Sequence, residues 1–94
     1  MLWRMTEHAR QRLAQRNLTE EDIVWVTRFG RLTYNSGATF YFLGRRDIPR
    51  GWERKLEHLI GTTLIVVNGW LITAYRNRCG WKKVRRKSKW REQA

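Results

Sequence analysis

Shortages in this chain exclude several classes of protein. One cysteine, Cys79, cannot form an internal disulfide, so the fold does not depend on covalent cross-links and a reducing, cytosolic setting is expected. Neither a paired Cys/His spacing nor an acidic cluster marks a metal site, and no cofactor or metal is expected. No apolar run approaches the roughly 18–20 residues that cross a bilayer. The start, "MLWRMTEH", lacks the apolar stretch of a signal peptide, so a soluble, unprocessed chain is the expectation.

Negative charge is scarce as well. Eight Asp and Glu stand against twenty Lys and Arg, leaving a formal +12 over 94 residues, a field that attracts polyanions. The length allows one domain with one modest core. The basic excess is concentrated late: residues 48–94 hold twelve basic side chains and three acidic ones. From Arg76 to Arg91 nine residues are basic and none is acidic, a segment that repels itself unless solvent or a polyanion surrounds it.

The first half of the chain reads as helical. Thr6 is a plausible N-cap, and the residues to about Gln15 are mostly good helix formers. Met5, Ala9 and Leu13 fall on one face, with Glu7, Gln11 and Ala14 opposite. Asn17 and Leu18 break this pattern. Thr19 then caps a second helix whose Glu20, Glu21 and Asp22 lie where the helix dipole favours negative charge. Ile23, Val24, Val26 and Phe29 would supply its buried side, and Gly30 its end.

The second half alternates as strands do. "RLTYN" and "TFYFLG" flank Ser36-Gly37, and "TTLIVV" and "WLITAYR" flank Asn68-Gly69, each a hairpin turn signal. "TTLIVV" is apolar on both faces and should be central. Between the hairpins, Trp52, Leu56, Leu59 and Ile60 recur at helical spacing, which suggests a short helix over about Trp52 to Leu59. The expectation is an α+β domain over residues 1–78, two N-terminal helices followed by a four-stranded antiparallel sheet, with a basic tail over residues 79–94.

Two constellations carry chemistry. In "TEHARQRLAQRN", His8, Arg12 and Arg16 recur every four residues along the border of the Ala9/Leu13 face. A polar line beside an apolar stripe must find a cleft, a carboxylate or a ligand. The helix dipole disfavours imidazolium in a first turn, so a neutral His8 can serve as a general base. It could take the proton of a ribose 2′-hydroxyl while the two guanidinium groups hold the phosphate, with no metal. The competing readings are a surface or packing histidine, and ion pairs of Arg12 and Arg16 with Glu20, Glu21 or Asp22. In the last strand, strict alternation would point Leu71, Thr73 and Tyr75 one way and Trp70, Ile72, Ala74 and Arg76 the other. Tyr75 can stack on a base or donate to phosphate, with Arg76 and Arg78 at the strand's exit; Thr73 and Tyr75 are equally ordinary strand formers.

The tail interleaves Trp81 and Trp90 with Lys82, Lys83, Arg85, Arg86, Lys87 and Lys89, combining phosphate attraction with flat stacking surfaces. A solubilising tail would explain the charge but not the tryptophans. A membrane anchor would need more apolar positions.

Taken together, "HARQRLAQRNLTEEDI", "FYFLGRRDIP" and "LIVVNGWLITAYRNRCGWKKVRRKSK" resemble the family known as domain of unknown function 4258 over most of the chain. The matching positions are His8, Ala9, Arg12, Arg16, Thr19, Ile23, Ile72, Thr73, Tyr75 and Arg76. That family looks distantly related to the RelE/ParE and BrnT toxins, small basic α+β proteins of which many are metal-independent ribonucleases. The resemblance implies a RelE-like fold and maps His8, Arg12, Arg16, Thr73 and Tyr75 onto the active-site positions. The leading expectation is therefore a toxin-type endoribonuclease acting on RNA rather than DNA. Its alternatives are a non-catalytic RNA- or DNA-binding module, an accessory subunit of a larger nucleoprotein complex, and a partner of an acidic antitoxin.

Overall fold

Both predicted N-caps are present. In the computed structural model, which describes residues 3–76, the Thr6 hydroxyl accepts the Ala9 amide at 3.1 Å and opens helix α1, Glu7–Gln15. Thr19 and Asp22 then close a reciprocal capping box at the start of helix α2, Glu20–Phe29. Between them the chain stops helically and reverses. Asn17 adopts a left-handed φ of 55°, its amide reaches the Ala14 carbonyl, and the Leu18 amide reaches the Leu13 carbonyl at 2.9 Å. That is a Schellman ending, and it drops Leu18 into the core.

The β half follows the turn signals. Strands β2, Arg31–Asn35, and β3, Ala38–Leu43, join through Ser36-Gly37; strands β4, Thr62–Val67, and β5, Trp70–Arg76, join through Asn68-Gly69. Both turns have positive φ at both central residues, the form whose twist matches a hairpin. The connection between hairpins contains a 3-10 turn at Arg45–Asp47, helix α3 at Glu53–Leu56, and a second 3-10 turn at Glu57–Leu59. The expected helix over Trp52 to Leu59 is thus shorter and tightens midway.

The class is α+β, but the sheet differs from the expectation of four antiparallel strands. A two-residue strand β1, Arg4–Met5, adds in parallel to β5, so the sheet is mixed and five-stranded in the order β1-β5-β4-β3-β2, with β4 in the middle as expected. Two residues carry no periodicity, so β1 was invisible in the sequence. It forms because the Arg4 amide finds Gly69 O and the Thr6 amide finds Leu71 O, which stitches the start of the chain to the last strand.

Helices α1, α2 and α3 all pack on one face of the sheet. Ala9, Leu13, Ile23, Val26, Leu56 and Leu59 bury against Leu43, Leu64, Val66, Leu71 and Ala74. Each large aliphatic side chain removed from water there contributes about 1.5–3 kcal/mol. Val24, expected inside, is 39% exposed. Its place is taken by Trp25, which stacks on Phe29 at 5.7 Å and meets Trp52 at 5.0 Å.

The alternation expected in β5 fails at Ile72. Thr73 pairs with Ile65, yet Leu71 pairs with Val66, so two steps on β5 face one on β4. The extra residue reverses parity. Leu71 and Ala74 both enter the core under the helices, while Thr73 and Tyr75 stand on the other face. Strict alternation had grouped Leu71 with Thr73 and Tyr75, and the bulge separates them.

Candidate nucleic-acid interface

The α1 stripe is at the surface. His8 and Arg16 are exposed and Arg12 is half-buried, beside the fully buried Ala9 and the nearly buried Leu13. Arg12 Nε donates to His8 Nε2 at 3.4 Å, and another Arg12 nitrogen donates to Gln15 Oε1 at 3.3 Å. A guanidinium has no lone pair, so in this contact Arg12 donates and His8 Nε2 accepts. Arg16 occupies the C-cap, where the helix dipole favours a cation. The acidic residues of α2 were the alternative partners for these arginines. Asp22 instead binds Thr19 and His58, and Arg12 is engaged with His8 and Gln15.

Thr73 and Tyr75 belong to a different surface. The cross-strand registers set three rows on the face of the sheet away from the helices. Arg31, Phe42, Thr63 and Tyr75 form the first row, and Thr33, Phe40, Ile65 and Thr73 the second. Asn35 pairs with Ala38, and Val67 with Trp70, to make the third. Burial raises the Tyr75 hydroxyl above its ordinary value of 10.0, and the neighbouring Thr63 side chain opposes that shift without cancelling it. Tyr75 is therefore a proton donor at neutral pH and not a base. Arg76 closes the strand and is exposed.

The structure brings His8 and Arg12 into contact, holds Arg16 one turn further on, and sets Thr73 and Tyr75 on the opposite side of the sheet from Ala9 and Leu13. Beyond Leu71 no described strand pairs with the outer edge of β5, so that edge is what the two groups share. The remaining sequence-predicted positions, Arg78, Trp81, Lys82, Lys83, Arg85, Arg86, Lys87, Lys89 and Trp90, lie outside the described residues.

Sequence reasoning missed an aromatic and cationic patch. Lys55 Nζ sits 5.0 Å from the Trp25 ring and 5.1 Å from the Trp52 ring, and Arg28 lies 5.8 Å over Phe29. The spacing of Trp25, Arg28 and Phe29 hinted at a shared helix face, but Trp52 and Lys55 arrive from another element. Close by in the chain, a cleft of about 130 Å³ is lined by Arg45 and Arg54 but also by Glu53 and Glu57, so its charges offset and it is no anion site. Among the described residues, no three His, Cys, Asp or Glu side chains group as metal ligands, and no helix is long and apolar enough to cross a membrane.

Set against family models, curated proteins and solved structures, the chain matches none of them.

Proposed function

We propose that this protein is directed at nucleic acid and acts on RNA as a metal-independent endoribonuclease of the RelE-like, toxin type. The observation that carries the reading is the exposed contact of Arg12 Nε with His8 Nε2, one helical turn from Arg16. A base and two phosphate-binding cations share one solvent-facing line. An incoming phosphate takes the donors of Arg12 and Arg16, which frees the His8 lone pair. His8 then accepts the proton of the 2′-hydroxyl, the 2′-oxygen bonds to phosphorus, and the bond to the 5′-oxygen breaks. Water gives the departing 5′-oxygen its proton, so the products are a 2′,3′-cyclic phosphate and a 5′-hydroxyl end, and the guanidinium groups stabilise the charge that develops between. The formal +12 and the late basic excess support attraction of the substrate. The sequence resemblance to the domain of unknown function 4258 family supports the same residues.

A second reading is favoured by one observation. Thr73 and Tyr75 stand on the other face of the sheet from α1, so a substrate engaging all five candidates has to pass round the edge of β5. A non-catalytic RNA- or DNA-binding module, or an accessory subunit of a larger nucleoprotein complex, needs no such convergence. An acidic antitoxin is the protein partner that the same charge fits.

The test is incubation of the full chain, and of His8→Ala beside it, with labelled single-stranded RNA in EDTA, read for cleavage and for mobility shift. Cleavage by the wild type, reduced roughly a hundredfold or more in the variant with binding retained, is expected. A salt-sensitive shift without cleavage in either protein selects the binding module. A salt-sensitive complex with an acidic protein, and none with RNA, selects the antitoxin partner.

A further inference from the structure

Strand β2 is the last strand of the sheet, and among the described residues nothing pairs with its outer side. The hairpin fixes which backbone groups that leaves open. Asn35 and Ala38 close a two-residue turn with positive φ at Ser36 and Gly37, so Asn35, Thr33 and Arg31 exchange hydrogen bonds with β3. Leu32 and Tyr34 alternate with them and turn their N–H and C=O groups outward. Their side chains are open as well: Leu32 is 46% exposed and Tyr34 74%. Both stand on the helix side of the sheet, since Leu32 pairs with Tyr41 and Tyr41 with the core residue Leu64. Sheet edges are normally guarded by lysine, proline or a bulge. Arg31–Asn35 has none of these, and its one charge, Arg31, is tied to Asp47 at 3.1 Å.

We propose that this edge takes β2 of a second copy of the chain, antiparallel and centred on Thr33. The open groups select that register. With Leu32 opposite Tyr34 of the other copy, both residues of each copy exchange hydrogen bonds through both of their backbone groups. A shift of one residue turns the open groups toward residues already bonded to β3. A shift of two sets Tyr34 opposite Gly30, whose N–H is bonded to the Val26 carbonyl, or Leu32 opposite Ser36 in the turn. The centred register also lays each exposed Leu32 beside an exposed Tyr34 on the same face, an aliphatic–aromatic cross-strand pair. Such self-complementarity is what a two-fold interface requires, and an unrelated strand would meet it only by chance.

Edge pairing about this two-fold joins two five-stranded sheets into one and leaves both helix layers on the same side. Because α1 packs on β5, the two His8/Arg12/Arg16 lines then lie seven strand spacings apart on that side, about 33 Å. Net charge opposes the assembly. Each copy brings a formal +12, so pairing is weakest at low salt and tightens as salt screens the repulsion. Binding to RNA has the opposite salt dependence, so the pairing stands or falls separately from any activity toward RNA.

The experiment is sedimentation equilibrium of the full-length chain, free of nucleic acid, over a concentration series at low and at high salt. A doubling of mass with concentration, more complete at high salt, is expected. Tyr34→Lys changes a side chain already in water and puts a charge on the seam, so it should keep the wild-type circular dichroism and stay monomeric. Thr33 would face its own copy across the two-fold as a pair without hydrogen bonds, with Cα atoms about 4.5 Å apart, within disulfide reach. With Cys79→Ser removing the native thiol, Thr33→Cys should therefore cross-link the dimer on oxidation. A wild-type chain that remains monomeric up to about 1 mM at high salt overturns the proposal. A dimer that Tyr34→Lys leaves intact, or that Thr33→Cys fails to cross-link, is built on another surface and overturns it equally.

Discussion

His58 Nε2 lies 3.2 Å from Asp22 Oδ1, so the 3-10 turn after α3 is tied to the first turn of α2 across thirty-six residues of chain. The same carboxylate closes the capping box, accepting the Thr19 amide at 3.0 Å. Burial pushes the Asp22 carboxyl up, but the Thr19 amide, His58 and the Thr19 hydroxyl outweigh it and hold it below 3.8. A carboxylate depressed in the folded state adds stability that is complete above its unfolded value and lost as pH falls through the folded one. Asp22→Ala should therefore cost about 1 kcal/mol near neutral pH, and that difference should shrink below about pH 4. Urea titrations of both proteins at the two pH values check this, and a gap that persists unchanged in acid would rule out the carboxylate as its source.

Two glycines should respond to substitution for different reasons. A Cβ at Gly30 would run into the carbonyl oxygens of Val26 and Phe42, both backbone atoms, where α2 hands over to β2. Its φ of −73° is ordinary, so the constraint is close approach alone. At Gly69 there is open space, but φ is +79°. Gly30→Ala should cost about 1–3 kcal/mol through forced displacement of backbone, and Gly69→Ala about 1–2 kcal/mol through the left-handed geometry. Chemical denaturation of the two variants tests both, and a Gly30→Ala protein as stable as wild type would mean that α2 and β3 move apart freely.

RNA affinity should register Arg12 and Arg16 as phosphate contacts. Each Arg→Ala change at these positions should lower the slope of log affinity against log salt by about 0.7, the share of one phosphate on a single strand. An unchanged slope in both variants would remove the α1 stripe from the interface.

Tyr75 should leave no mark on a neutral pH profile. Burial, partly offset by Thr63, holds its phenol above 10.0. In a cleavage assay, Tyr75→Phe is expected to keep the shape of the pH–rate curve from about pH 5 to 8, whatever happens to its height. A limb displaced in the variant would show that Tyr75 titrates within that range.

Several features were legible in the sequence because they depend only on near neighbours. A hydroxyl three residues ahead of an amide caps a helix wherever that helix sits, so Thr6 and Thr19 could be read directly. Ser36-Gly37 and Asn68-Gly69 adopt positive φ for reasons internal to four residues. The stripe of His8, Arg12 and Arg16 beside Ala9 and Leu13 is likewise a property of one helix. Trp25 was less legible than Val24 because an indole can lie against aromatic neighbours from the side, and Trp52 comes from a distant element.

What the sequence by itself determined is the set of local elements, their caps and turns, and a charge that invites a polyanion. Tertiary structure decided how those elements meet: the pairing of Arg4–Met5 with Trp70–Leu71, and the bulge at Ile72 that sends Ala74 under α1 while Tyr75 faces away. The physical reason is range. Caps and tight turns are satisfied by hydrogen bonds across three or four residues, whereas strand addition and side-chain parity depend on which distant backbone groups are left to pair. In this protein that difference assigns His8 and Tyr75 to opposite faces of one sheet.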